Sequence, residues 1–340
     1  MPVSELPTAY GAVPLTARLR TTPEDFVVEE ILGYDAEGQG EHALLWVEKR
    51  GANTDWVARE LAKFADVAPM NVGYAGLKDR HAVTRQTFSV QLPGRPDPDW
   101  SAFPHAEVRV LAATRHSRKL KRGALRGNRF VLILRDVQGV REEAERVLQQ
   151  IAARGVPNYF GEQRFGREGG NLAQARAMFA GRRIDRDKRS FLLSAARSQI
   201  FNSVLASRVE QGSWDTALEG EIWALAGSRS WFGPEPFDGA LAARLSQGDI
   251  HPSGPLWGDG EPPTTGEVGA LERAVAAGYA DLAQGLARAR MDQERRALRL
   301  MPRELRWRWL DDAALELAFE LPAGAYATVV VRELATEPAA

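Results

Sequence analysis

Between Val72 and Leu92 the hydrophobic pattern changes twice. Val72 to Ala75 is a short apolar run, and Gln86 to Leu92 alternates Thr87, Ser89 and Gln91 with Phe88, Val90 and Leu92. That alternation marks a half-buried strand. β-rich runs predict further strands over 26–31, 43–49, 107–113 and 129–135. Helical spacing sets in at Thr54, a predicted N-cap for a helix carrying Trp56, Val57, Leu61 and Phe64. It returns over 141–154, with Val147, Leu148 and Ile151 on one face and Gly155 at the end. Helices are also predicted over 171–181, 190–211 and 268–290, separated by connections such as Phe232 to Pro236 and Gly258 to Gly266. The last forty residues return to strands at 305–310 and 315–321, with 326–334 of open type. Strands, then helices, then strands predict an α+β fold. A mixed, mainly antiparallel sheet domain (1–154 plus 301–340) is interrupted by a helix-rich domain (155–300).

At 340 residues the chain is long enough for that arrangement. It contains no cysteine, which excludes disulfides, thiolate metal sites and cysteine nucleophiles. His42, His81, His105, His116 and His251 are scattered without metal-ligand spacing, and neither a GxSxG elbow nor a P-loop is present. No metal is expected. The first twenty residues lack a signal-peptide core, and no apolar run approaches the roughly 18 residues of a membrane helix. A cytoplasmic protein with no membrane association is expected.

The net charge of −1 does not announce a nucleic-acid binder, but its distribution is uneven. Val108 to Arg135 holds no acidic residue and nine cations: Arg109, Arg115, Arg118, Lys119, Lys121, Arg122, Arg126, Arg129 and Arg135. Arg288 to Arg308 carries eight arginines against Asp292, Glu294 and Glu304. Such stripes are either the footprint of a phosphate backbone or solvated basic faces.

Asp79 is the outstanding candidate for chemistry. It lies between Lys78 and Arg80 in a Gly-bearing turn that joins two predicted strands. A carboxylate on a loop held by a rigid sheet is often functional, and it can equally be a turn cap. Adjacent side chains on an extended segment point to opposite faces, so Lys78 and Arg80 are expected to contact phosphate rather than Asp79.

Five segments, in order, carry a family resemblance: Thr22 to Glu30, Gly76 to Gln86, Gly127 to Phe130, Pro157 to Gly166 and Leu321 to Thr328. Together they resemble the TruD-type tRNA pseudouridine synthases over nearly the whole chain. The resemblance implies a pseudouridine-synthase catalytic domain with an inserted TRUD domain. It implies isomerisation of uridine 13 in tRNA without metal or cofactor, and no obligate protein partner is inferred. Asp79 takes the catalytic role; Phe26, Asn128 and Tyr326 line the uracil pocket; Arg20 is the basic residue near the carboxylate. Substrate is expected in a basic cleft between the two domains.

These residue types suit the chemistry. A base inside folded RNA must be flipped out and held by stacking and edge hydrogen bonds. Phe26 and Tyr326 can stack, and Asn128 offers both a donor and an acceptor. On pattern alone Phe26 is also a core strand residue, Asn128 a turn residue and Tyr326 a packing residue. The aromatics Tyr159, Phe160 and Phe165 read as packing of the inserted domain, with Arg164 and Arg167 as RNA-backbone contacts. Two rival functions remain at this level: a non-catalytic RNA-binding or RNA-folding module, and an Asp-dependent N-glycoside hydrolase that releases uracil.

Overall fold

The computed structural model describes residues 3–166 and 169–338, with only the backbone described at residue 187. They form two compact units. One comprises Leu15–Val140, Pro302–Gly324 and Thr336–Ala340; the other comprises Met1–Pro14, Arg141–Met301 and Ala325–Ala335.

The first unit is built on a mixed sheet. Its strands are β1 (Leu15–Leu19), β2 (Phe26–Leu32), β3 (His42–Arg50), β4 (Val72–Tyr74), β5 (Val83–Gln91), β6 (Val108–His116) and β7 (Leu125–Gly139), with a C-terminal hairpin of Arg303–Asp311 and Ala314–Pro322. The order runs hairpin, β7, β2, β5, β3, β6. β2 and β5 are parallel, while β7 with β2, β3 with β5 and β3 with β6 are antiparallel. β5 is paired along its whole length with β3. Its other edge is shared: β2 covers Val83 to Arg85 and β4 covers Phe88 to Val90. The gap between those two ladders lies beside the Asp79 loop.

Helix α1 (Thr54–Phe64) packs Val57, Ala58, Leu61 and Ala62 onto Leu45, Val47, Phe88 and Val90 of the sheet. Asn53, not Thr54, occupies its N-cap position. The Thr54 hydroxyl is used instead inside the fold, donating to Gln86 Oε1 (3.0 Å) and accepting from Lys78 N (3.1 Å).

The second unit contains the predicted helices and more. Helices at Arg141–Arg154, Gly170–Phe179 and Arg186–Glu210 follow the pattern, but the run 268–290 is two helices, Gly266–Ala277 and Ala280–Arg288. A four-stranded antiparallel sheet, ordered Trp231–Phe232, Trp223–Leu225, Ile250–Leu256 and Glu294–Ala297, stands where the pattern predicts only helices and connections. Ile250–Leu256 carries Pro252, Gly254 and Pro255, residues disfavoured in strand interiors, and no strand is predicted there. Burial of nearly every residue fixes it as a strand.

The boundaries also differ from the partition at residues 154 and 301. Helix Arg141–Arg154, residues 3–14 and Ala325–Ala335 belong with the helical unit. Arg154 pairs with Asp215 through two hydrogen bonds of 2.9 and 3.0 Å, and Tyr10 meets Trp214 edge to face. Buried Glu333 accepts from Ala9 N at 2.7 Å. These contacts are invisible to sequence periodicity.

Candidate active site

The loop from β4 to β5 is tied down on both sides of Asp79. Lys78 turns inward, and its Nζ lies 2.7 Å from Glu30 Oε2, both side chains being almost wholly buried. The other Glu30 oxygen accepts from Thr87 N at 3.3 Å, filling the ladder gap on β5. From the opposite side Lys49, fully buried at the end of β3, donates to Ala52 O (2.7 Å) and Asp79 O (3.2 Å). The expected phosphate role of Lys78 is therefore corrected: its charge is spent inside the fold, where a buried cation requires a partner. Arg80 is exposed, with Nε donating to Gly51 O at 3.2 Å.

Asp79 itself does close a turn, Oδ1 accepting from His81 N at 3.0 Å. It also does more. Oδ2 lies 3.0 Å from Arg20 Nη2, and 23% of the side chain stays exposed. Arg20 follows β1 with φ of +62°, a left-handed conformation that costs a non-glycine residue about 1–2 kcal/mol. Such strain is retained where the surroundings over-determine it, often at functional sites. The bend lays the guanidinium 4.1 Å above the centre of the Phe26 ring while it pairs with Asp79. Arg20, Asp79 and Phe26 are thus one contact group.

Phe26 is placed by the segment before it. Thr22 N donates to Asp25 Oδ2 at 3.0 Å, and buried Asp25 is held by Arg135 at 2.8 Å. The ring is buried, edge-on to Phe130, which in turn packs on Phe319. Phe26 is therefore a core strand residue whose upper face is covered by Arg20. Asn128 stands opposite Glu30 on β7, on the face shared by Phe26, Glu30 and Phe130. Four strand residues, about 13 Å, separate the Phe26 and Asn128 positions. The Asn128 Oδ1 is buried and has no hydrogen-bond partner among the described residues, a state costing about 1–3 kcal/mol and open to satisfaction by a ligand donor. Gly127 precedes it because a Cβ there would collide with the Leu321 carbonyl.

Tyr326 belongs to the other unit, where it meets Phe160 edge to face at 6.4 Å. Phe160 is buried with Arg296 4.2 Å from its ring centre and Arg164 at 5.2 Å, and the Asn202 side chain bonds both its N–H and its C=O. The aromatics of 158–166 are packing residues. Arg164 donates to Ser194 Oγ at 2.8 Å, and Arg167 lies outside the described residues.

The two basic stretches are only partly free. Arg109, Arg115 and Arg135 pair with Glu48, Asp97 and Asp25. Of the second cluster, Arg295 is buried against Glu272, and Arg299 bonds His251. Lys121, Arg126 and Arg129 remain exposed.

Two predictions arise from this geometry. Arg20→Gln, which removes one charged contact worth about 1.5–3 kcal/mol, is expected to lower kcat about 10- to 100-fold in steady-state turnover. Burial pushes the Lys49 ammonium down to about 8, partly offset by the Asp79 carboxylate and reinforced by Lys78. Lys49 is charged below that pH and neutral above it, so kcat is expected to fall as pH rises through about 8. A pH–rate profile of Lys49→Met should lack that limb.

Sequence reasoning missed Lys49 and Glu30, because charged residues in a strand read as its solvent face. A family model described as tRNA pseudouridine synthase D (TruD) matches residues 9–173 and 172–334. The chain belongs to the TruD family. It is similar to the tRNA pseudouridine synthase D of Xanthomonas axonopodis pv. citri, with 55% identity over 97% of this chain and 94% of the relative. It is similar to those of Methylococcus capsulatus (53%, covering 97% and 94%) and Hydrogenovibrio crunogenus (45%, covering 98% and 96%). A solved chain from Methanosarcina mazei assigned to TruD shares the fold with a TM-score of 0.74 at 22% identity, covering 96% of this chain and 95% of that one.

Proposed function

We propose that this TruD protein isomerises uridine 13 of tRNA to pseudouridine, with Asp79 as the catalytic carboxylate. The observation that carries the reading is a part-exposed carboxylate locked between Arg20 and the His81 amide on a loop anchored by two buried lysines. The sheet unit is the catalytic domain, and the inserted TRUD domain lies in the helical one. tRNA is the partner, and the cytoplasm is the compartment.

The reaction breaks the bond between ribose C1′ and uracil N1, rotates the freed base and joins C1′ to C5. The C5 proton leaves and N1 gains one, so no atom is added or lost. Attack on C1′ and proton removal from C2′ both require an ionised carboxylate facing the ribose. Arg20, 3.0 Å from one Asp79 oxygen, fixes the direction of the carboxylate. The loop anchors fix its direction before substrate arrives, so little reorganisation is needed in the transition state. Asn128 Oδ1 accepts a uracil N–H and recovers the hydrogen bond it lacks. Phe26 supplies an apolar wall against water, and the family resemblance keeps Tyr326 as the stacking aromatic.

The test is incubation of unmodified tRNA with the protein, followed by carbodiimide labelling that reads pseudouridine itself. Labelled tRNA is the expected result. Released uracil would identify an N-glycoside hydrolase, and unchanged RNA would identify a binding module.

A further inference from the structure

A second feature of the sheet unit lies beside the Asp79 loop. An open groove of about 710 Å³ is lined by α1 (Asp55, Ala58, Arg59), by β4 and the residues before it (Pro69, Met70, Val72, Gly73, Tyr74), and by Lys119, Leu120, Lys121 and Arg122 from the connection between β6 and β7. Four of its side chains are cationic and one is anionic.

The basic connection is built against the Asp79 loop. Leu120 N donates to Ser89 Oγ at 2.9 Å, and Gly123 N donates to Ala75 O at 2.7 Å. Gly73 has no side chain, and a Cβ there would collide with the Leu120 carbonyl. The groove and the Asp79 loop also share the first turn of α1: Thr54 bonds Lys78 N, while Asp55 lines the groove, with Arg59 one turn further on. A helical turn is only about 5.4 Å long.

The charges inside it are unevenly used. Asp55 is answered by the Tyr74 hydroxyl and by Arg122 at 3.7 Å, and Arg122 also lies 4.8 Å over the Tyr74 ring. Lys119 donates to the Met70 carbonyl. Arg59 and Lys121 are exposed, and neither side chain has an ion-pair or hydrogen-bond partner among the described residues. An open groove with a positive excess, a central tyrosine and two uncommitted cations matches a sugar–phosphate strand.

The geometry points to this groove as a binding site for the RNA backbone next to the flipped uridine, with Arg59 and Lys121 each facing a phosphate. The inference rests on the tRNA reading above and adds the path by which the strand reaches Asp79. Phosphate contacts of this kind set register and carry no base information.

The test is Arg59→Gln/Lys121→Gln, two exposed positions whose loss is expected to leave the thermal midpoint unchanged. The control, Lys63→Gln/Arg146→Gln, removes the same charge at two exposed cations that pair within their own helices. The groove variant is expected to raise KM for tRNA at least tenfold with kcat at saturation within threefold. The slope of log Kd against log salt should become shallower by about 1.4–1.8, as for two lost phosphate contacts. The control should change KM less than threefold. A groove variant that behaves like the control, in KM and in salt slope, overturns the site. So does a tenfold fall in kcat with KM unchanged. If wild-type protein makes no pseudouridine, the activity reading fails instead, and the salt slope of tRNA binding still decides the groove. Should the double variant lose stability, Lys121→Gln alone, on the loop surface, is measured for half the slope change.

Discussion

Asp79→Asn is expected to lower kcat for pseudouridine formation by about four decades, or about 5 kcal/mol of barrier. The substitution nearly preserves shape. Its side-chain amide oxygen can still accept from the His81 N–H, which holds Asp79 at 3.0 Å, so the turn survives. What disappears is the negative charge facing Arg20 at 3.0 Å, and with it the group that acts on the ribose. Affinity for tRNA should not weaken, because the change removes an anion and leaves the Arg20 cation unneutralised. Equilibrium binding and single-turnover kinetics on the same preparation separate these effects. A loss of turnover accompanied by a matching loss of binding would mean that Asp79 serves the loop rather than the chemistry.

Lys78→Met is expected to have the largest effect on stability, about 3–5 kcal/mol, because it leaves the Glu30 carboxylate buried without its cation. The same carboxylate fills the break between the β2 and β4 ladders through Thr87 N, so the damage should spread into β5. Removing both charges is far less costly: Lys78→Met/Glu30→Leu should recover most of the lost stability in urea unfolding, since apolar replacement of a buried pair is often neutral. Turnover should stay at least tenfold down in that double variant, because the loop keeps no tether to β2. If the double variant regains full turnover, the pair is merely structural.

Much of the catalytic unit was legible because its signals are local. The alternation from Thr87 to Leu92 locates β5, the spacing of Val57 and Leu61 locates α1, and the segment around Asp79 carries its own turn chemistry. The partners of that carboxylate were harder to see. Arg20 is distant in sequence and reaches Asp79 only through a left-handed bend that no pattern announces. Lys49 and Glu30 sit in strands at positions where a charge normally means solvent, and tertiary burial overrode that expectation. Thr54 looked like a cap because threonine before an apolar helix usually is one; its hydroxyl was taken by Gln86 and Lys78 instead. The small sheet in the second unit escaped for the opposite reason, its central strand being written in prolines and glycine.

A position-resolved pseudouridine map of cellular tRNA tests the catalytic role of Asp79 most directly. Cells lacking this protein are complemented with either the wild-type chain or Asp79→Asn, and tRNA is labelled with carbodiimide and read site by site. Pseudouridine at position 13 restored by the wild-type chain and absent with Asp79→Asn is the predicted result. Pseudouridine 13 that persists without the protein, or that Asp79→Asn restores, would contradict it.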